Sequence, residues 1–209
     1  MPSKPRTITL CLIRCGETAW ENDARLHGTT DLPLSESSRA QLAGAVKHLR
    51  SGHVAMVHHP PDEAATETAH LVARKLHARA KAEAELADPN LGLLEGMRVQ
   101  EFAERQPSRH RQWEDDPMTL EPPEGEPFAV AATRIFHAVT RVLKRSRSPE
   151  IAMVLHPLAL GMLRCWLGDR RSTDLWLMLK DRPRIERYAM TIDMVDELEG
   201  AALSVAGPS

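Results

Sequence analysis

Apolar residues recur along this chain in two rhythms: short unbroken runs rich in β-branched residues, and longer stretches where they return every three or four positions. The run TITLCLI at 7–13 predicts a buried strand, closed by Arg14 and by a turn at Gly16. Downstream, DLPLSESSRAQLAGAVKHLR offers Ser35 as a helix N-cap, and Leu42, Ala45, Val46 and Leu49 share one helical face. VAMVHH at 54–59 predicts a second strand, stopped by Pro60 and Pro61. Residues 62–80 predict a second helix, with acidic residues in its first turn where the helix dipole favours them. A long amphipathic helix is expected over 127–146, a strand at IAMVL (151–155), and a helix over 158–168 ending near Gly168. Residues 184–196 are expected to add one or two closing strands.

The stretch 88–128 breaks this rhythm. It carries Pro89, Pro107, Pro117, Pro122, Pro123 and Pro127, with a short helical piece expected at 98–105. It reads as a cap over a pocket within a single domain spanning 1–209. Strands and helices alternate with crossovers long enough for parallel pairing, so an α/β fold with a mostly parallel sheet is expected. In such sheets ligands sit beyond the carboxyl ends of the strands. Arg14-Cys15, His58-His59 and His156 all fall at such ends.

Composition narrows the function classes. With 27 basic against 29 acidic residues, no basic excess draws the chain to nucleic acid or to an anionic membrane. No segment approaches the length of a membrane helix, and the apolar run near the N-terminus is too short for a secretion signal. Three cysteines (Cys11, Cys15, Cys165) without framework spacing suit a reducing compartment, so a cytoplasmic location is expected.

The segment LIRCGETAWENDARLHGTTDLPLSESSRAQ resembles the opening of the histidine phosphatase superfamily, also called phosphoglycerate mutase-like. Its strand-Arg-His-Gly-Glu-Thr motif and the Arg, Gly and Asp-x-Pro-Leu that follow fit Arg14, Gly16, Glu17, Thr18, Arg25, Gly28, Asp31, Pro33 and Leu34. The likeness continues through Pro61, Thr68-Ala69, LGLLEGM, PPEGEPFAVAATRI and VLHPLALGML, covering roughly residues 7 to 170. The resemblance implies a three-layer α/β/α fold and a pocket for a small phosphorylated or anionic ligand. It also implies catalysis through a phosphohistidine.

At the residues that would do this chemistry, the chain departs from the pattern. Cys15 stands where the family has the nucleophilic His. Glu21 stands at a phosphate-binding Asn, with Asn22 beside it as a substitute, and Ala64 stands at the second pocket arginine. The acid aligns best with Asp88; the second His survives as His156, and Arg14 and Arg25 are kept. His58-His59 replace a small pair and are expected to narrow the pocket. Losing a guanidinium with its bidentate hydrogen bonds, and gaining a nearby carboxylate, weakens the grip on a phosphate dianion. Cys15 is not followed by the arginine that closes a cysteine-phosphatase loop, since position 21 is Glu. That spacing occurs instead from Cys165 to Arg171, but Cys165 lies on an expected helix, where a core thiol is the plainer reading.

Cys15, His156 and Asp88 are therefore the candidate catalytic residues, and Arg14, Glu21, Asn22, Arg25 and His59 the candidate ligand contacts. The expected function is a catalytically impaired or inactive homologue that binds a ligand or a protein partner. Two alternatives are an altered phosphatase using Cys15 and His156, and a metal-binding pocket drawing on Cys15, His156, Asp88 and His59. The spacings form no zinc motif, so no metal and no cofactor is expected. Trp113 either covers the pocket or packs the cap. His27, His48, His53, His70, His77, His110 and His137 read as helix-surface or loop residues.

Overall fold

The computed structural model describes residues 7–47, 49, 53–168, 170–180 and 184–205. His48 lies outside them. The elements run β1 (Thr7–Arg14), α1 (Ala19–Asn22), α2 (Glu36–Lys47), β2 (Val54–His59), α3 (Glu63–Leu76), β3 (Arg79–Ala82), α4 (Val99–Arg105), α5 (Pro107–Asp115), α6 (Phe128–Arg145), β4 (Glu150–Leu155), α7 (Pro157–Leu167), α8 (Leu175–Lys180), β5 (Ile185–Thr191) and α9 (Ile192–Val205). The strands form one sheet in the order β3-β2-β4-β1-β5. All neighbours are parallel except β5, which runs antiparallel to β1 along one edge.

Strand alternation explains the layering. On β1, Ile8, Leu10 and Leu12 face one apolar cluster, which they share with α6, α7 and α9. Cys11, Ile13 and Cys15 continue the opposite parity and face a second cluster built on α2 and α3. On β4, Ile151, Met153 and Leu155 join the first cluster, and Ala152 and Val154 the second. Strands buried on both faces between helices give the α/β/α sandwich. The three crossovers β1-α2-β2, β2-α3-β3 and β3-α6-β4 bring the carboxyl ends of β1, β2 and β4 to one rim.

Three elements differ from the sequence reading. The helix over 62–80 stops at Leu76, where His77 takes a left-handed conformation (φ 56°), and Arg79–Ala82 form the edge strand β3. Its RAKA sequence is largely exposed, so it carries no hydrophobic alternation to read. In the cap, α5 follows α4 directly. Pro107 occupies its first turn, where the missing N–H costs nothing, and Trp113 is its buried anchor. Beyond β5, residues read as strand form the start of α9, which packs along α6 and buries Val195 and Leu198.

Candidate functional site

The chain leaves β1 at Arg14 and turns at once. The Cys15 N–H donates to the Leu155 carbonyl at 2.8 Å, which holds it beside the end of β4. A side chain on Gly16 would come within 2.5 Å of Leu42 and 2.6 Å of Leu34, so glycine lets the loop press onto α2. Cys15 is 2% exposed. Its sulfur lies 3.6 Å from the Thr68 hydroxyl, which also accepts the Gly16 N–H at 3.2 Å and donates to the Ala64 carbonyl at 2.8 Å. The thiol therefore sits against α3 and its apolar neighbours Ala64, Ala65 and Ala69.

His156 ends β4 and leads into α7, 2% exposed. Its Nε2 meets Asp62 Oδ1 at 2.9 Å. Asp62 is the N-cap of α3 and accepts the Ala65 N–H at 2.9 Å. Burial works against a charged imidazole, but the Cys15 sulfur and the Asp62 carboxylate outweigh it and hold the His156 pKa well above its ordinary value. In turn burial opposes the Asp62 carboxylate, yet the hydrogen bond and charge of His156 and the Ala65 N–H keep its pKa low.

Asp88 is 3% exposed and spends both oxygens on the first turn of α7, accepting the Leu158 N–H at 3.1 Å and the Ala159 N–H at 2.7 Å. Burial raises its pKa despite the nearby His156 and those two donors. The residue expected as the acid is thus a helix cap, aimed at backbone.

The remaining candidates separate. Glu21 does not turn into solvent: its Oε2 accepts the Thr18 N–H at 2.8 Å in a capping box on α1, and its side chain lines a cavity of about 260 Å³ with Arg14 and Arg25. Arg14 Nη2 lies 3.8 Å from Glu17. Arg25 donates to the Gly96 carbonyl at 2.7 Å. Asn22 is exposed and contributes nothing to the cavity wall, because α1 turns it outward beside Glu21. His59 also lies outside the site: its Nδ1 meets its neighbour Pro60's carbonyl at 2.7 Å and its ring stands edge-on to His70. His58 turns to Glu83 at 3.2 Å. Neither narrows the pocket, because the pleat sends them to opposite faces of β2, away from its rim.

Two features escaped sequence reading. His27, read as a surface or loop residue, is 8% exposed, and its ring centroid lies 5.2 Å from that of His156. Its only signal was its place in the segment shared with the family, just before Gly28. Asp62 read simply as a helix-start acid, although a capping carboxylate after a strand end belongs to the rim by topology. Trp113 does both things expected of it: it stacks on Trp176 of α8 at 4.5 Å, and the two indoles wall the cavity with Leu91, Leu158 and Leu179.

The family model described as histidine phosphatase superfamily (branch 1) matches residues 10–187 of this chain. The chain belongs to the histidine phosphatase superfamily. It is 30% identical over 155 residues to the bifunctional protein Rv2228c of Mycobacterium tuberculosis, a match covering 74% of this chain and 42% of that protein. The chain thus spans less than half the length of that relative. It is 26% identical over 169 residues to phosphoserine phosphatase 1 of Hydrogenobacter thermophilus, covering 81% of the chain and 80% of the relative. Among solved structures, YhfR of Bacillus stearothermophilus superposes with a TM-score of 0.74 at 26% identity, covering 84% and 85% of the two chains. Among the described residues, no helix is long and apolar enough to cross a membrane.

Proposed function

We propose that this superfamily member has lost the phosphohistidine relay and uses its pocket, or the proline-rich cap above it, for binding. One observation carries the reading: at the position of the nucleophile the side chain is a buried thiol turned onto α3, and the surviving His156 is ion-paired with Asp62. A working relay needs an imidazole open to the phosphoryl group and a ring of positive charge around the anion. Here Ala64, fully buried in an apolar cluster, supplies no guanidinium. Glu17 and Glu21 stand beside Arg14 and Arg25 in the cavity wall. A unit charge at about 4 Å contributes about 4 kcal/mol at a typical effective dielectric, so trading one positive group for a negative one changes phosphate affinity by orders of magnitude.

A second reading, an altered phosphatase acting on a small phosphate ester through Cys15 and His156, is favoured by the charged His156 ring beside the Cys15 sulfur. Phosphatase names among the relatives also favour it. The two part in a turnover assay on a generic aryl phosphate and on phosphoserine. The binding reading expects no turnover above buffer, and none restored by Cys15→His, because Ala64 and Glu21 remain. Turnover that Cys15→Ser abolishes would establish the second reading instead.

A further inference from the structure

Two buried imidazoles in this pocket each have a ring nitrogen outside the hydrogen bonds of the fold: Nδ1 of His27, and Nδ1 of His156, whose ring has the Cys15 sulfur beside it. Their other nitrogens are engaged. Nε2 of His27 lies 2.9 Å from the Thr30 carbonyl, and Nε2 of His156 lies 2.9 Å from the Asp62 carboxylate. In a neutral ring, an N–H directed at a carbonyl or carboxylate leaves the lone pair on the opposite nitrogen, the arrangement that metal-ligating histidines adopt; His156, held protonated by its neighbours, reaches it by giving up a proton as the ion binds. A third group meets them: one donor atom from each of Glu21, His27 and His156 can be chosen so that all three lie within 4.8 Å of one another. Glu21 is itself steadied by the Thr18 N–H at 2.8 Å. A buried polar atom without a partner costs about 1–3 kcal/mol, so such atoms on residues clustered with a carboxylate ask for a ligand.

We propose that Glu21, His27 and His156 form a site for a divalent transition-metal ion of the zinc class, with a fourth position open to water or to a pocket ligand. Two imidazoles and one carboxylate are a donor set suited to such an ion. With metal–ligand bonds of about 2.1 Å, tetrahedral donors stand roughly 3.4 Å apart, so these atoms need to draw together by at most about 1.4 Å. The surrounding charge agrees: Glu17, Asp62 and Asp88 join Glu21 in the walls, against the guanidinium groups of Arg14 and Arg25. Asp62 then acts as the outer partner that orients His156 and makes it a better donor. Metal and proton compete for the same ring, so binding weakens as the pH falls. The site stands whether or not the pocket turns over phosphate, and its test needs no substrate.

The test is a titration of tag-free, chelator-stripped protein with Zn²⁺ by calorimetry, together with the visible spectrum of the Co²⁺-loaded form. One equivalent of zinc and the strong visible bands of a tetrahedral cobalt centre are expected. Asp62→Asn should lower affinity by about 10- to 100-fold, and His27→Asn and Glu21→Gln by at least as much. Glu21→Gln keeps the acceptor for Thr18, so it decides the matter should His27→Asn fail to fold by circular dichroism. Absence of stoichiometric zinc, or zinc affinity unmoved by Glu21→Gln, overturns the proposal.

Discussion

Replacing Asp62 by Asn in the metal-free protein removes one of the two partners, the Cys15 sulfur being the other, that hold the His156 ring charged. The Asp62 and His156 side chains are 15% and 3% exposed and meet at 2.9 Å. At an effective dielectric of 20, two unit charges at that distance attract by about 6 kcal/mol, before the cost of removing both from water. Deleting one partner of a buried pair commonly costs about 3–5 kcal/mol. We expect the lower end, about 3 kcal/mol, because the imidazole can shed its proton when its counter-charge goes. The pH profile fixes the sign. His156 has a pKa raised above the ordinary 6.5, so its contribution is complete below 6.5 and drains away as the pH climbs towards the folded value. Asp62 has a pKa lowered from 3.8, so its contribution is complete above 3.8 and drains away as the pH falls towards its folded value. The wild type should therefore show a plateau between about pH 3.8 and 6.5 from this pair, with stability falling on either side. Urea unfolding at a series of pH values, with an NMR titration of the His156 ring, reads both quantities. A His156 pKa at or below 6.5 in the wild type, or an Asp62→Asn variant within about 1 kcal/mol of wild type across the plateau, would refute the reasoning.

Two further outcomes follow from burial. Cys15 is 2% exposed, and burial pushes Cys11 and Cys165 up to about 11, so a disulfide reagent near neutral pH should label no thiol quickly until denaturant is added. Fast native labelling of Cys15, located by mass spectrometry, would contradict the packing and favour a reactive thiol. Asp88→Ala should cost about 2 kcal/mol in urea unfolding, because two N–H groups of α7 lose their acceptor. Asp88→Asn, which keeps one acceptor oxygen, should lose less; equal losses would argue against a capping role.

The scaffold was legible because it is written in periodicities. The run 7–13 alternates between two cores, and that alternation alone orients Cys11, Ile13 and Cys15 towards α2 and α3. Ser35 was readable as a cap because its hydroxyl accepts the Ser38 N–H, a short-range device with a sequence signature. What failed to read was whatever depended on distant partners. The edge strand β3 has no buried face to pattern it, and α9 is defined by α6, some fifty residues away. In the site, Arg14, Cys15 and His156 followed from strand ends. His59 did not belong there, since a strand end fixes a residue's position along the rim but not the face its side chain takes. His27 could not be predicted, because its burial depends on the turn at 28–30, which Glu95 ties down by accepting the Thr29 N–H at 2.8 Å and the Thr30 hydroxyl.

That dependence bears on how the pocket chemistry departed from the family without loss of the fold. Neither apolar cluster draws on Arg14, Glu21, His27, Asp62 or His156, which sit at a strand end, on loops and in the first turns of helices at the rim. Ala64 and Cys15 do belong to the core, and both are small, so they close the space that a larger polar side chain would hold open. Restoring such a group means reopening a packed layer. For this reason a lone Cys15→His exchange should destabilise the protein as well as fail to recover turnover, since the imidazole would have to displace the α3 surface at Ala64, Ala65 and Thr68.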